Sequence, residues 1–213
     1  MTTVRVKICG VTRVDDAVRA AYLGADAIGL NFWSRSRRCV SVATAREIVE
    51  ALPPLVMAVG VFVDQPVDEV RRIVSEAHLS AVQLHGGESV ADCGAQAVPV
   101  YKAFRCAPRD DTSGLPWTDE IPSYSGTAGV LLDAAAGGPG GTGRVCDWTL
   151  AQKLAADLPV LLAGGLTPDN VAAAIAAVRP WGVDVASGVE ASPGVKDPDL
   201  MARFIRAAKE TAP

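Results

Sequence analysis

Two apolar runs near the C-terminus end in small-residue turns: residues 159–162 lead into Ala163-Gly164-Gly165, and residues 183–185 lead into Ala186-Ser187-Gly188. Read as buried parallel strands, they put glycine just past the strand ends, where backbone N–H groups can approach an anion with no side chain in the way. The chemistry this suggests is capture of a phosphate by the amides of Gly164, Gly165, Ser187 and Gly188. The stretch Thr167-Pro168-Asp169-Asn170 reads as a helix start with proline in the first turn, which would aim a helix N-terminus at the same anion. Two ordinary strand-to-helix turns would have the same composition. Paired turns of this kind on the last two strands are the phosphate grip of many (β/α)8 barrels.

Other residues with chemical capacity also stand at the ends of apolar runs. Cys9 closes Lys7-Ile8-Cys9-Gly10; its thiolate would accept a proton where nearby charges lower the pKa from about 8.5, and a buried structural thiol is the alternative. Asp133 closes Gly129-Val130-Leu131-Leu132-Asp133, a single carboxyl that would either donate a proton or cap the next segment. His85, in Gln83-Leu84-His85-Gly86-Gly87, is a proton carrier or a hydrogen-bonded structural histidine. Three arginines fall within four residues at Arg35-Ser36-Arg37-Arg38. In a strand-to-helix loop they would attract an anionic substrate, and a solvated loop is the other reading.

The elements needed to position these residues are visible as alternation. Short β-branched runs at 4–8, 26–32, 56–63, 80–84, 99–104, 128–133, 159–163 and 181–186 are separated by alanine-rich stretches with helical spacing, among them 15–22, 43–51, 67–77, 170–178 and 198–209. Between 107 and 127, prolines and glycines leave room only for loop and a short turn. No linker or shift in composition divides the 213 residues. The expectation is one α/β domain over 1–213, a closed (β/α)8 barrel with an irregular fifth helix region; an open doubly wound sheet is the alternative.

Composition narrows the partners. A net charge of −4 speaks against nucleic acid and anionic membrane surfaces and leaves small molecules. The five cysteines are widely spaced with no C-x-x-C, and only two histidines accompany them, so neither a zinc site nor a disulfide framework is expected. The N-terminus enters a strand directly and no apolar run reaches about 18 residues, so a cytoplasmic location is expected. Gly138-Pro139-Gly140-Gly141-Thr142-Gly143 matches G-x-G-x-x-G, but its proline and its place far from an early βαβ unit argue against a dinucleotide site. Residues 134–144 read as a mobile loop over the barrel mouth.

Taken in order, these segments resemble the phosphoribosylanthranilate isomerase family. Val6-Lys7-Ile8-Cys9-Gly10, Ser36-Arg37-Arg38-Cys39-Val40, Val59-Gly60-Val61-Phe62, Gln83-Leu84-His85-Gly86, Leu131-Leu132-Asp133, Leu162-Ala163-Gly164-Gly165-Leu166 and residues 183–190 match, as does Ser192-Pro193-Gly194-Val195-Lys196-Asp197 before the last helix. Cys39 departs from the pattern, standing where an aromatic is often found, and so does the proline-rich fifth helix region. The resemblance implies a barrel of the ribulose-phosphate-binding type. It implies an Amadori rearrangement of N-(5-phosphoribosyl)anthranilate, an aldose-ketose isomerisation of tryptophan biosynthesis, with no metal or organic cofactor. By the same likeness Asp133 is the general acid, Cys9 the general base and Arg38 the partner of the anthranilate carboxylate. Lys7, His85 and Asp184 are expected to line the site, and the protein to be a monomer or homodimer.

Two rival readings remain at this point. The histidine-pathway isomerase, or a bifunctional enzyme, would want aspartates at the ends of strands one and five, where this chain has Cys9 and Lys102-Ala103-Phe104. A non-catalytic phosphate sensor would keep the glycine turns and lose the acid and base.

Overall fold

The computed structural model describes residues 3–106, 121–124, 126–134 and 148–211. Eight parallel strands close into a barrel in sequence order: β1 (Arg5–Cys9), β2 (Ala27–Asn31), β3 (Met57–Phe62), β4 (Ala81–Leu84), β5 (Val100–Cys106), β6 (Gly129–Ala134), β7 (Val160–Leu162) and β8 (Gly182–Val185), with β8 paired back onto β1. All eight lie within the runs expected from the sequence, apart from the ends of β1, β5 and β6. The helices among the described residues are α1 (Val14–Tyr22), α2 (Val42–Ala51), α3 (Val67–Glu76), α4 (Val90–Gly94), α5 (Trp148–Ala155), α6 (Val171–Val178) and α7 (Pro198–Glu210).

Three of the helices start where side chains satisfy their first N–H groups. Ser41 caps α2 by accepting from Thr44, and Ser89 and Asp92 make a reciprocal capping box on the short α4. Asp197 caps α7 by accepting from the amides of Asp199 and Leu200, with Pro198 in the first turn. Among its described residues, the irregular fifth region has a 3-10 turn at Ile121–Tyr124. Residues 107–120, the 135–147 stretch and the G-x-G-x-x-G match fall outside the described residues. Among the described residues no helix is long and apolar enough to cross a membrane.

Strand alternation sends Val6 and Ile8, and their counterparts on other strands, out to meet the helices in the main core. The other faces turn inward. Ala103, Leu131, Leu161 and Ala163 form one packed group there, and Val59, Ala81 and Tyr101 another. Thus a barrel filled with side chains supports a mouth at the C-terminal strand ends.

Candidate active site

The same alternation decides which polar groups share that mouth. Residues two apart face the same way, so Lys7 and Cys9, Gln83 and His85, and Leu131 and Asp133 all turn toward the axis. A cavity of about 440 Å³ opens there, lined by Cys9, Arg38, His85, Asp133 and the turns after β7 and β8. All the site residues expected from the sequence line it except Lys7, which lies buried beneath.

The two glycine turns meet each other as well as the cavity. Gly164 and Gly165 have φ of 82° and 66°, values that side chains disfavour. A Cβ on Gly188 would lie 2.0 Å from the carbonyl oxygen of Leu166, so the β8 turn presses directly on the β7 turn. Among the described residues the N–H groups of Gly164, Gly165, Ser187 and Gly188 have no protein acceptor. Backbone donors left this way call for an external acceptor. The helix start differs from expectation: α6 begins at Val171, and Pro168 sits in the turn before it. Asn170 instead braces that turn, accepting from the Thr167 amide at 2.8 Å and donating to the Gly165 carbonyl at 2.9 Å. Its side chain is thereby drawn away from capping the helix.

Cys9 sits over bare backbone. A Cβ on Gly29 would lie 2.8 Å from Cys9 Sγ and 3.0 Å from Lys7 Nζ, so only glycine leaves room for both groups. Lys7 donates to Asp184 at 2.8 Å and to Gln83 at 3.0 Å. Burial opposes its charge, but Asp184 and Cys9 outweigh burial and raise its pKa above the ordinary value. Burial pushes the Cys9 thiol up and Asp184 pushes the same way, against the pull of Lys7. The condition set from the sequence, that local charge lowers this pKa, is therefore not met: the ammonium groups of Lys7 and Lys196 together do not offset burial and Asp184.

Asp133 faces His85, whose Nε2 lies 3.3 Å from Oδ2, and the Nδ1 of His85 lies 2.8 Å from Gln83 Nε2. The loop carrying His85 is anchored from below. Lys102 of β5 donates to Glu88 at 2.9 Å and to the Gly86 carbonyl at 2.6 Å, while Glu88 accepts from the amides of Asp64 and Gly86. Strand five thus offers the mouth a lysine already committed to this anchor.

Of the three arginines, Arg38 is the one that is held. Its Nε and Nη2 donate to Glu190, each at 2.7 Å, in a two-bond fork, whereas Arg35 and Arg37 are exposed. Arg35 reaches the cavity rim as well. The Cδ of Arg38 lies over Gly10, where a Cβ would stand only 2.3 Å away, which explains the glycine after Cys9. Hydrogen bonding to Glu190 makes Arg38 more basic than usual against the cost of burial. Burial opposes the charge on Glu190, yet Arg38 and buried Lys196 hold its carboxyl below the ordinary range. Lys196 also donates to the Ala186 carbonyl at 2.9 Å, tying this platform to the β8 turn. Sequence reading did not single out Gln83, Glu190, Asn170 or Glu88. Each is a polar residue inside a quoted segment or beside one; the folded barrel brings Gln83 to Lys7, Glu190 to Arg38 and Glu88 to Lys102, while Asn170 finds its partners within its own turn.

Comparisons with known proteins identify the family. The family model described as N-(5'phosphoribosyl)anthranilate (PRA) isomerase matches residues 6–207. The chain belongs to this family. It is 48% identical over 212 residues to an N-(5'-phosphoribosyl)anthranilate isomerase of Pseudomonas aeruginosa, covering 98% of this chain and 97% of that one. It superimposes on the phosphoribosyl anthranilate isomerase of Thermotoga maritima with a TM-score of 0.88 at 40% identity, covering 97% and 99% of the two chains. A structure of such an isomerase in complex with reduced 1-(o-carboxyphenylamino)-1-deoxyribulose 5-phosphate is similar too, with a TM-score of 0.84 and 39% identity over 97% and 99%.

Proposed function

We infer that this chain is a phosphoribosylanthranilate isomerase of tryptophan biosynthesis, acting in the cytoplasm on a small phosphorylated substrate. It converts N-(5-phosphoribosyl)anthranilate to 1-(2-carboxyphenylamino)-1-deoxyribulose 5-phosphate. The observation that carries the residue assignment is the convergence of Cys9, Asp133 and Arg38 on one cavity with amides from the turns after β7 and β8 that have no acceptor among the described residues.

The amides of Gly164, Gly165, Ser187 and Gly188 take the phosphate, and Arg38 takes the carboxylate at the other end. The ribose then lies between Cys9 and Asp133. Protonated Asp133 gives its proton to the ring oxygen; the bond from that oxygen to C1′ breaks toward oxygen, and the nitrogen lone pair forms the iminium. Cys9, as thiolate, takes the C2′ proton and the C–H electrons neutralise the iminium. The resulting enolamine tautomerises to the ketone, and exchange with solvent returns acid and base to their starting states.

The histidine-pathway reading is disfavoured by the fifth strand, where Lys102 is bound to Glu88. The direct test is loss of substrate fluorescence when purified protein is added to freshly made phosphoribosylanthranilate. Rapid consumption is expected, and absence of turnover by folded protein would overturn the reading.

A further inference from the structure

Three hydrogen bonds and one ion-pair contact link five side chains across the floor of the cavity. Asp184 accepts from Lys7 Nζ at 2.8 Å, and the same ammonium donates to Gln83 Oε1 at 3.0 Å. Gln83 Nε2 lies 2.8 Å from His85 Nδ1, and His85 Nε2 lies 3.3 Å from Asp133 Oδ2. An ammonium has donors and no acceptor, so the carboxamide oxygen of Gln83 must face Lys7. Its NH2 group then faces His85 and can only donate, so Nδ1 is the bare nitrogen. A neutral imidazole has one N–H, and here it must sit on Nε2, aimed at Asp133. Gln83 is 1% exposed, and with both ends occupied it has no freedom to turn over without breaking two bonds.

We propose that Gln83 is a positioning residue: it converts the donor-only character of Lys7 into a single tautomer of His85, whose Nε2–H faces Oδ2 of Asp133 and leaves Oδ1 to carry the catalytic proton. This rests on Asp133 being the acid. In the ring-opening step the Oδ1–H bond breaks and its proton passes to the ring oxygen, while the Nε2–H of His85 stays in place. That N–H bonds more strongly to the carboxylate left behind, so it favours the product of proton transfer. With the other tautomer, Nε2 would be an acceptor. Protonated Asp133 would then turn its proton into His85 and away from substrate.

The two histidines, His78 and His85, make the tautomer directly observable by ring-nitrogen NMR, with His78→Gln assigning the signals. The wild-type protein should show a bare Nδ1 and a protonated Nε2 on His85; the reverse would overturn the proposal without any variant of the site. Gln83→Glu keeps an oxygen for Lys7 but presents a second acceptor to His85, so the ring proton should move to Nδ1. The kcat should fall at least about tenfold, with competitive inhibition by inorganic phosphate unchanged. A purely space-filling Gln83 predicts instead that this near-isosteric change leaves the tautomer and kcat alone, which would also overturn the idea. Failure of the acid assignment reads differently: Asp133→Asn would stay active whatever tautomer His85 adopts.

Discussion

The two sides of the mouth are made of different material. Toward β7 and β8 the proposed binding groups are main-chain amides, and the side chains nearby hold the turns: Asn170 on the Gly165 carbonyl, Lys196 on the Ala186 carbonyl. Toward β1, β4 and β6 the proposed acid and base are side chains held by other side chains, as Cys9 is flanked by Lys7 and Asp133 by His85. A charge that stays put through the reaction can be met by fixed dipoles. A proton that moves needs groups whose protonation changes, and those have to be tuned by neighbours. The first side should therefore be sensitive to added carbon and the second to changed atom type.

The largest effects are expected where protons move. Cys9→Ala and Asp133→Asn should each lower kcat by about 10²–10⁴ while the fold is retained. Binding of a product analogue should survive in Asp133→Asn. If binding vanished together with turnover, Asp133 would be a structural cap. The pH dependence follows from the direction of the Cys9 shift. Burial raises that pKa, so the thiolate is scarce at neutral pH and grows as pH rises. The kcat/KM of the wild-type enzyme should accordingly climb into the alkaline range, and a profile that falls there would contradict thiolate as the base.

Arg38 comes next. A charge-assisted bond to a carboxylate contributes about 1.5–3 kcal/mol, so Arg38→Ala should lower kcat/KM roughly ten- to a hundredfold. The loss should shrink for a substrate analogue without the carboxylate, which never made the contact. Equal damage with both compounds, or as much damage from Arg35→Ala or Arg37→Ala, would remove the assignment.

The difference between the two sides also explains what the sequence disclosed. The strands were readable because a parallel barrel buries both faces, which leaves continuous β-branched runs, and Ala163-Gly164-Gly165 was readable because a turn is local. Gln83 was not. Its partners Lys7 and His85 lie 76 and 2 residues away, and only strand closure puts the first beside it. Glu190 looked like the end of a loop segment, yet it grips Arg38 from 152 residues off. The start of α6 came within one residue of the expected 170, but Pro168 lies before its first turn, and the Asn170 side chain is spent on bracing the turn after β7. For Cys9 the sequence showed the lysine two residues away and not the burial, which is the larger influence.

On the backbone side, added carbon should do the damage. Gly188→Ala drives a methyl into the Leu166 carbonyl, and relieving that contact means separating the two turns. Overpacking of this kind costs about 1–3 kcal/mol. We expect KM to rise about tenfold with kcat changed far less, and inhibition by inorganic phosphate to weaken in parallel. A fall in kcat at constant KM would mean that Gly188 supports the chemistry and not the anion.

The smallest predicted effect discriminates most sharply between the two sides. Ser187 is exposed at the start of the β8 turn, and in a side-chain-built site its hydroxyl would be the obvious phosphate donor. In a backbone-built site the hydroxyl is incidental, because the amide of residue 187 is the donor and alanine keeps it. Loss of one neutral hydrogen bond costs about 0.5–1.5 kcal/mol, which would raise KM by about two- to tenfold. Ser187→Ala should therefore stay under about twofold in KM, below the lower edge of that range, with kcat unchanged. Measured beside Gly188→Ala in the same assay, the pair separates the alternatives: removing an oxygen from residue 187 should matter less than adding a carbon to residue 188. The opposite order would show that the anion is held by the serine side chain, and the contrast drawn between the two sides of the mouth would fail at its clearest point.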